Sequence, residues 1–454
     1  MEVNSRTIRC LLDGHRKFIK RAEEARNYFA NHNRIKDDNS VVQRQSETEA
    51  VLGNPLHLAD NRISHNWHNL LVTQKVSYAL SYPPLFDLGD KTANAGVAAL
   101  LGDQYTATAM QLGIDATITS VGWLHYWRGA DGRFRYHTVD PVQIVPVYSG
   151  TLDSELVGVL RCYTTLEPKQ GQNVQVCEFW DDTRVRFYRQ NAYGNYAYFN
   201  YPEVGQELVH GLGAVPFIPF YNNAQHTDDL PLYKDLIDAY DKVISGFAND
   251  MEDVQEVIFV IKNYGGEGKT EFLSDLKQSK VIKVEGDGGV DTIRAEIPHE
   301  ARGAFLDRIR KQIFVSGMGV DPDPEQFGDS SGVALKYLYS LLELKAVQME
   351  TQFRTGFAEL VRAACRVSGM AEPAKIIQTW TRNAIQNDLE TAQIAAQSIG
   401  VISDQTVIKN HPWVEDAEAE QKQLKKEQDA AAEQQPQFRF RLNGGDPDDG
   451  NSSE

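Results

Sequence analysis

Apolar residues recur along this chain with two different periods, and the period switches more than once. From about Thr7 to Phe29, Leu11, Phe18, Ala22, Ala25 and Phe29 share one helical stripe, and Arg, Lys and Glu fill the rest. A polar stretch from Asp37 reads as a loop. The next helix covers Asn61 to Ser81 with Trp67, Leu70, Leu71 and Tyr78 inward. Pro83-Pro84 ends it, because proline lacks the N–H donor and clashes with the preceding turn. A further helical stretch covers about Asn94 to Ile118.

The period then falls to two. Trp123–Trp127 and Arg133–His137 flank Gly129-Ala-Asp-Gly132, a hairpin signal. Ile144–Tyr148, Leu156–Tyr163, Val174–Trp180 and Val185–Tyr188 continue as strands of one antiparallel sheet. Val215–Phe220 is extended, since each proline disfavours the α region in the residue before it.

Helical spacing returns at Pro231, where Leu236, Tyr240, Val243 and Phe247 recur on one face and Asp235, Asp238, Asp241 and Asp250 occupy the others. A small insert follows. It comprises a strand at Val257–Ile261, a short helix at Thr270–Gln278, and a second hairpin of Val281–Val284 with Val290–Ile293 around Gly286–Gly289. Helix resumes from His299 to Ser316. An acidic loop, Gly317–Gly332, precedes a helix of roughly 36 residues, ~54 Å long, with Leu338, Leu342, Met349, Phe353, Phe357, Leu360 and Ala364 in register. Shorter helices follow Gly369, including Asp388–Ile399, which Gly400 closes; Ser403 caps the next. Beyond about Lys426 the Ala/Glu/Gln-rich composition predicts a disordered acidic tail, residues 428–454.

Composition narrows the class. Hydrophobic residues make up 41% and aromatics 10%, enough for sizeable cores in a chain of two to four modules. A net charge of −17 argues against tight wrapping of nucleic acid, which needs Lys and Arg on phosphates, but is compatible with DNA sliding past. The four cysteines (Cys10, Cys162, Cys177, Cys365) have no metal-ligand spacing, so reduced thiols are expected, with neither zinc nor a disulfide framework. No run reaches the roughly 18 apolar residues of a membrane span, and the first residues do not form a signal peptide.

The candidate chemistry is sparse. Asp321, Asp323 and Glu325 lack the spacing of a calcium loop, so a solvated acidic loop is favoured over a metal or acid–base site. His65 and His68 have no third ligand nearby and read as surface or packing residues. Gly265–Thr270 lacks the first glycine of a phosphate loop. Arg302, Arg308, Arg310 and Lys311 either pair with acids of a neighbouring helix or form a basic belt along a DNA channel. The chain shows no catalytic constellation, cofactor motif or metal site. An enzyme acting on DNA or cell wall through the acidic loop is the alternative, and those missing groups argue against it.

Six segments in order resemble the portal proteins (head–tail connectors) of tailed double-stranded DNA bacteriophages, in particular those of long-tailed headful-packaging phages. They are Asn61–Pro84, Gly213–Asn223, Leu236–Asp250, Phe327–Lys336, Asp388–Gln393 and Ile402–Asp404, and the likeness covers about Asn61 to Glu427. The resemblance implies an α+β portal fold and a ring of twelve subunits. In it, the wing would be 1–230, the stem helices 231–253 and 299–316, and the clip 254–298. The tunnel loop would be 317–332, the long wing helix 333–370 and the crown 371–427. Asp321, Asp323, Glu325, Gln326, Phe327, Gly328, Asp329, Ser330 and Ser331 would face DNA in the channel. Arg302, Arg308, Arg310 and Lys311 would line the stem, with Leu236, Tyr240, Val243 and Phe247 between subunits. Lys262, Glu267 and Lys269 would meet partners at the clip. The implied partners are double-stranded DNA, the terminase large subunit, the head-completion adaptor or tail protein, and the major capsid and scaffolding proteins. The implied location is the capsid portal vertex of a virion, assembled in the bacterial cytoplasm.

Overall fold

A computed structural model of the chain describes residues 3–37, 59–167, 171–202, 204–253, 258–264, 284–293, 298–322, 337–383, 388–409, 414 and 417–433. It forms two compact units: residues 1–323 with 338–384, and residues 324–337 with 385–454.

The first unit opens with α1 (Ser5–Phe29), capped by the Asn4 side chain on the Thr7 N–H, and a short α2 (Arg34–Asp37). After α3 (Trp67–Leu80) come strand β1 (Leu85–Asp87), α4 (Lys91–Leu101) and α5 (Tyr105–Thr119). The single helical stretch expected over 94–118 is therefore two helices, broken where Gly102 adopts a positive φ of 61°.

The strands are β2 (Val121–Arg128), β3 (Phe134–Val139), β4 (Ile144–Tyr148), β5 (Leu156–Glu167), β6 (Gln172–Trp180), β7 (Arg184–Gln190), β8 (Tyr196–Tyr198), β9 (Glu207–Val209) and β10 (Phe217–Tyr221). They form two sheets where the periodicity suggested one. One has the order β10-β2-β3; the other runs β4-β5-β6-β7-β8, with β9 also on β7. The β2 residues Trp123, Leu124 and Tyr126 are all buried, so both faces of that strand are covered; the larger sheet buries one face under α1 and packs the other, through Ile144 and Val159, against Val121, Trp123 and Phe217 of the smaller. On the α1 side, Ile8 packs with Leu160, Phe179 and Tyr188.

Directly opposite each other on β5 and β6, Cys162 and Cys177 form a disulfide. This corrects the expectation of four reduced thiols. Spacing rules inspect neighbours in sequence, while the antiparallel register pairs residues 15 apart. Cys10 and Cys365 are free.

Next come α6 (Lys234–Asp253), β11 (Ile258–Tyr264), β12 (Val284–Ile293), α7 (His299–Gly317) and α8 (Ser340–Ser368). The expected second hairpin is instead one strand: β12 spans Gly286–Gly289, where its register against β11 shifts, and pairs antiparallel with β11 on either side. The short helix expected at 270–278 lies outside the described residues. On α8 the predicted stripe is buried, with Leu342, Met349, Phe353, Phe357, Leu360 and Ala364 each at most 3% exposed. Gly356 lets this helix approach β10, because a Cβ there would meet the Phe220 ring at 2.6 Å.

Strand β13 (Ile377–Thr379) pairs with β1, and Arg382 forks onto Glu343 and Glu350 of α8. Residues 371–384 thus belong to the first unit, not to the helical module expected to begin at 371. That module holds α9 (Asp388–Gln397), α10 (Asp404–Lys409) and α11 (Ala417–Glu433). The helix α9 ends at Gln397, short of the expected Ile399, and Gly400 with φ +84° lies in the turn that follows. The tail expected to be disordered from 428 is helical as far as Glu433, since Ala, Glu, Gln and Lys are all strong helix formers.

Candidate functional site at the base of the helical hairpin

The antiparallel pair α6/α7 carries the β11/β12 insert, and its root is fixed by three sets of contacts. The first is a ladder. Residues 61–65 were expected to be helical but run extended, because side chains of α6 take their backbone N–H groups. Asn61 N–H donates to Asn249 Oδ1 (2.6 Å), Ile63 N–H to Ser245 Oγ (3.0 Å) and His65 N–H to Asp241 Oδ1 (3.0 Å). Every second residue of an extended chain thereby meets every fourth residue of a helix. Asp241, expected on a solvent face, is fully buried, and also accepts from Asn33 Nδ2 (2.6 Å) and His65 Nδ1 (2.8 Å).

The second is an aromatic clamp at the start of α3. Trp67 meets Tyr240 of α6 and Phe314 of α7 edge-on, each with ring centroids 5.6 Å apart. Arg302 of α7 pairs with Asp250 (2.5 Å) and lies over the Phe247 ring. Tyr240 and Phe247 thus have partners within their own chain, while Leu236 and Val243 are half-buried. All four residues of the expected subunit-facing stripe keep part of their surface exposed in the single chain, and the covered sides of Tyr240 and Phe247 meet α3 and α7. Helical periodicity identifies an apolar face but not which helix covers it.

The third is a buried charge cluster. Asp229, in the 3-10 turn before α6, pairs with Lys75 of α3 (3.1 Å) and Lys345 of α8 (2.9 Å), and accepts from Asn222 Nδ2 (2.8 Å). All three charged side chains are at most 5% exposed. One positive charge is left over. Lys345 Nζ donates to the Gly317 carbonyl at the end of α7 (2.6 Å), where the helix dipole is negative. Burial pushes Lys75 down to about 8, despite the attraction of Asp229. Burial alone would raise Asp229, but Lys345 and Lys75 hold it well below the ordinary carboxylate range. His68, which shares a hydrogen bond with the Tyr233 hydroxyl (2.8 Å), is pushed down to about 4 by burial and is neutral. It is a packing histidine, one of the two readings the sequence offered.

The same contacts hold the start of the acidic loop. Gln74, next to Lys75, clamps Val320 twice: Nε2 donates to the carbonyl (2.7 Å) and Oε1 accepts the N–H (3.1 Å). A Cβ on Gly319 would run into Leu71, so this glycine serves close packing and not backbone freedom. Asp321 is buried and paired with Arg310 (2.7 Å). Asp321 is thus held to α7, and Arg302 and Arg310 both have acidic partners, which is one of the two readings the sequence offered for these cations. Arg308 and Lys311 are exposed. Asp323, Glu325, Gln326, Phe327, Gly328, Asp329, Ser330 and Ser331 lie outside the described residues, as do Glu267 and Lys269; Lys262 is described only by its backbone, opposite Gly289. Sequence reasoning missed Lys75, Asp229 and Lys345. Three isolated charges, Asp229 lying 154 residues after Lys75 and 116 before Lys345, give no local signal.

Among the described residues no group of His, Cys, Asp and Glu could hold a metal ion, and no helix is long and apolar enough to cross a membrane. The first unit is an α+β body carrying a two-helix stalk, and the second is a helical module.

Comparison with known proteins gives its family. The family model "Phage portal protein, SPP1 Gp6-like" matches residues 9–434, and the chain belongs to that family. The portal protein of Clostridium phage phiCD119 is 41% identical over 418 residues, covering 88% of this chain and 90% of that protein. The portal protein of Bacillus phage SPP1 is 34% identical over 395 residues, covering 83% and 78%. A chain in the solved virion of a native gene transfer agent particle aligns over 81% of this chain and 91% of its own, at 13% identity and a TM-score of 0.42.

Proposed function

We propose that copies of this chain form the ring-shaped channel at one capsid vertex, through which double-stranded DNA is packaged, retained and ejected. The family match across residues 9–434 carries this reading. The ring is a structural part of the virion, and energy for packaging comes from a partner, the terminase large subunit. Twelve subunits are proposed, with a head-completion adaptor or tail protein outside, and capsid and scaffolding proteins around the ring. Assembly takes place in the bacterial cytoplasm. Helices α6 and α7 are the stem. The β11/β12 insert is the clip, with Lys262, Glu267 and Lys269 toward the motor and later the adaptor. Residues 323–332 are the tunnel loop, α8 the long wing helix and the module of α9, α10 and α11 the crown. Arg308 and Lys311, both exposed, are the stem cations left to face DNA. Negative-stain microscopy of the purified protein tests the reading: rings with a central hole are expected, and a uniform population of compact monomers would overturn it.

A further inference from the structure

The bond between Cys162 and Cys177 joins β5 and β6 partway along their ladder, which continues beyond it to the Glu167–Gln172 pair. Both side chains lie in the core under α1, with Ile8, Leu160, Phe179, Tyr188 and Tyr196. Cys162 is 8% exposed and Cys177 0%. Free cysteine packs as a small apolar residue, so this core closes equally well over two thiols. Under the reading above, the chain folds in a bacterial cytoplasm, where thiols are kept reduced, and then leaves the cell as part of a particle. The β5/β6 register holds the two sulfurs opposite each other throughout.

Burial decides which reagents reach them. Thiol–disulfide exchange requires the incoming sulfur to stand against the bond, and a peptide thiol such as glutathione has no approach to a pair so deeply covered. A peroxide, little larger than water, does. We propose that Cys162 and Cys177 are a one-way latch: reduced while the chain folds and assembles, oxidised by a peroxide after release from the cell, and then closed to bulky reductants. The sulfur of Cys162, the less buried of the two, attacks the O–O bond of hydrogen peroxide. An S–O bond forms, the O–O bond breaks, and the leaving hydroxide takes the Cys162 proton as water. The Cys177 sulfur then displaces the hydroxyl of that sulfenic acid. The S–S bond forms, and the hydroxyl leaves with the Cys177 proton as a second water. Two electrons pass from the sulfurs to the peroxide, which balances the step. The closed bond takes freedom from the opened chain and so makes the sheet under α1 harder to unfold. The latch rests on the reading of the chain as a virion component.

Counting thiols tests it. In a Cys10→Ser background, Cys162, Cys177 and Cys365 remain. Cells making this chain, opened directly into denaturant with an alkylating agent, should give chains alkylated at all three. The folded chain, purified under reductant and then treated with hydrogen peroxide, should be alkylated at Cys365 alone and yield peptides joined through Cys162 and Cys177. Glutathione should reopen that bond in denaturant but not in the folded chain. A bond already present in the cells, no bond after peroxide, or a bond that glutathione opens in the folded chain each overturns the proposal. In thermal melts the oxidised chain should unfold on the order of 5 °C above the reduced one, and Cys162→Ala with Cys177→Ala should melt alike with and without peroxide. Equal melting of the oxidised and reduced parent would also overturn it. Failure of the ring reading is separate: it would appear as absence of rings in the untreated protein, whereas the thiol count is read whether or not rings form.

Discussion

At the scale of single residues, the Lys75–Asp229–Lys345 cluster decides most. Two ammonium groups share one carboxylate in a site closed to water, so removing the carboxylate leaves both unpaired. Asp229→Asn is expected to cost about 3–5 kcal/mol, the range for breaking a buried pair from one side; a loss under about 1 kcal/mol in denaturant titration, well below that range, would mean the cluster is not closed. His68 sets a pH dependence. Its folded value of about 4 lies below the ordinary 6.5. The unfolded chain therefore binds a proton between those values that the folded chain refuses. Its contribution to stability is complete above pH 6.5, declines as pH falls toward 4 at about 1.4 kcal/mol per unit, and is gone below. Asp229 adds its own loss only below about 3.8, its unfolded value. Thermal melts between pH 4 and 7 should show a shallower slope for His68→Gln than for the parent. Equal slopes would place the sensitivity elsewhere, His125 being the other histidine lowered to about 4.

At the scale of elements, the extended strap at 61–65 is held by one edge of α6 through Asp241, Ser245 and Asn249. Asp241→Ala deprives three donors of their acceptor: the His65 N–H, His65 Nδ1 and Asn33 Nδ2. A loss of about 3 kcal/mol or more is expected, since each stranded donor costs roughly 1–3 kcal/mol when buried. Amide exchange at His65 should accelerate well beyond that of Leu71 in α3. Unaltered protection at His65 would show that the strap is held by packing alone.

At the scale of the whole molecule, the acidic loop has a fixed root. Gln74, Leu71 and Arg310 hold residues 319–321, so the useful deletion starts after Pro322. Removing Asp323–Gln326 should leave ring assembly intact and reduce DNA packaging or retention. Replacing Asp323 and Glu325 by Lys should slow translocation, because each added cation holds phosphate more tightly. Normal packaging by both variants, in rings seen to be intact, would remove this loop from the channel.

Local pattern was enough for the elements themselves. The stripes of α1 and α8, the β2/β3 hairpin around Gly129–Gly132 and the limits of α7 all depend on residues a few positions apart, which the sequence displays directly. The order of six such segments was also enough to place the chain in its family. Pairing over long range was not legible. That Cys162 faces Cys177, that Asp241 turns inward to a strap 176 residues away, and that Lys75 and Lys345 converge on Asp229 are consequences of register and packing. Charge and burial depend on which surfaces meet. An aspartate on a helix looks the same in sequence whether water or a lysine lies opposite, and only the folded chain sets the one against the other.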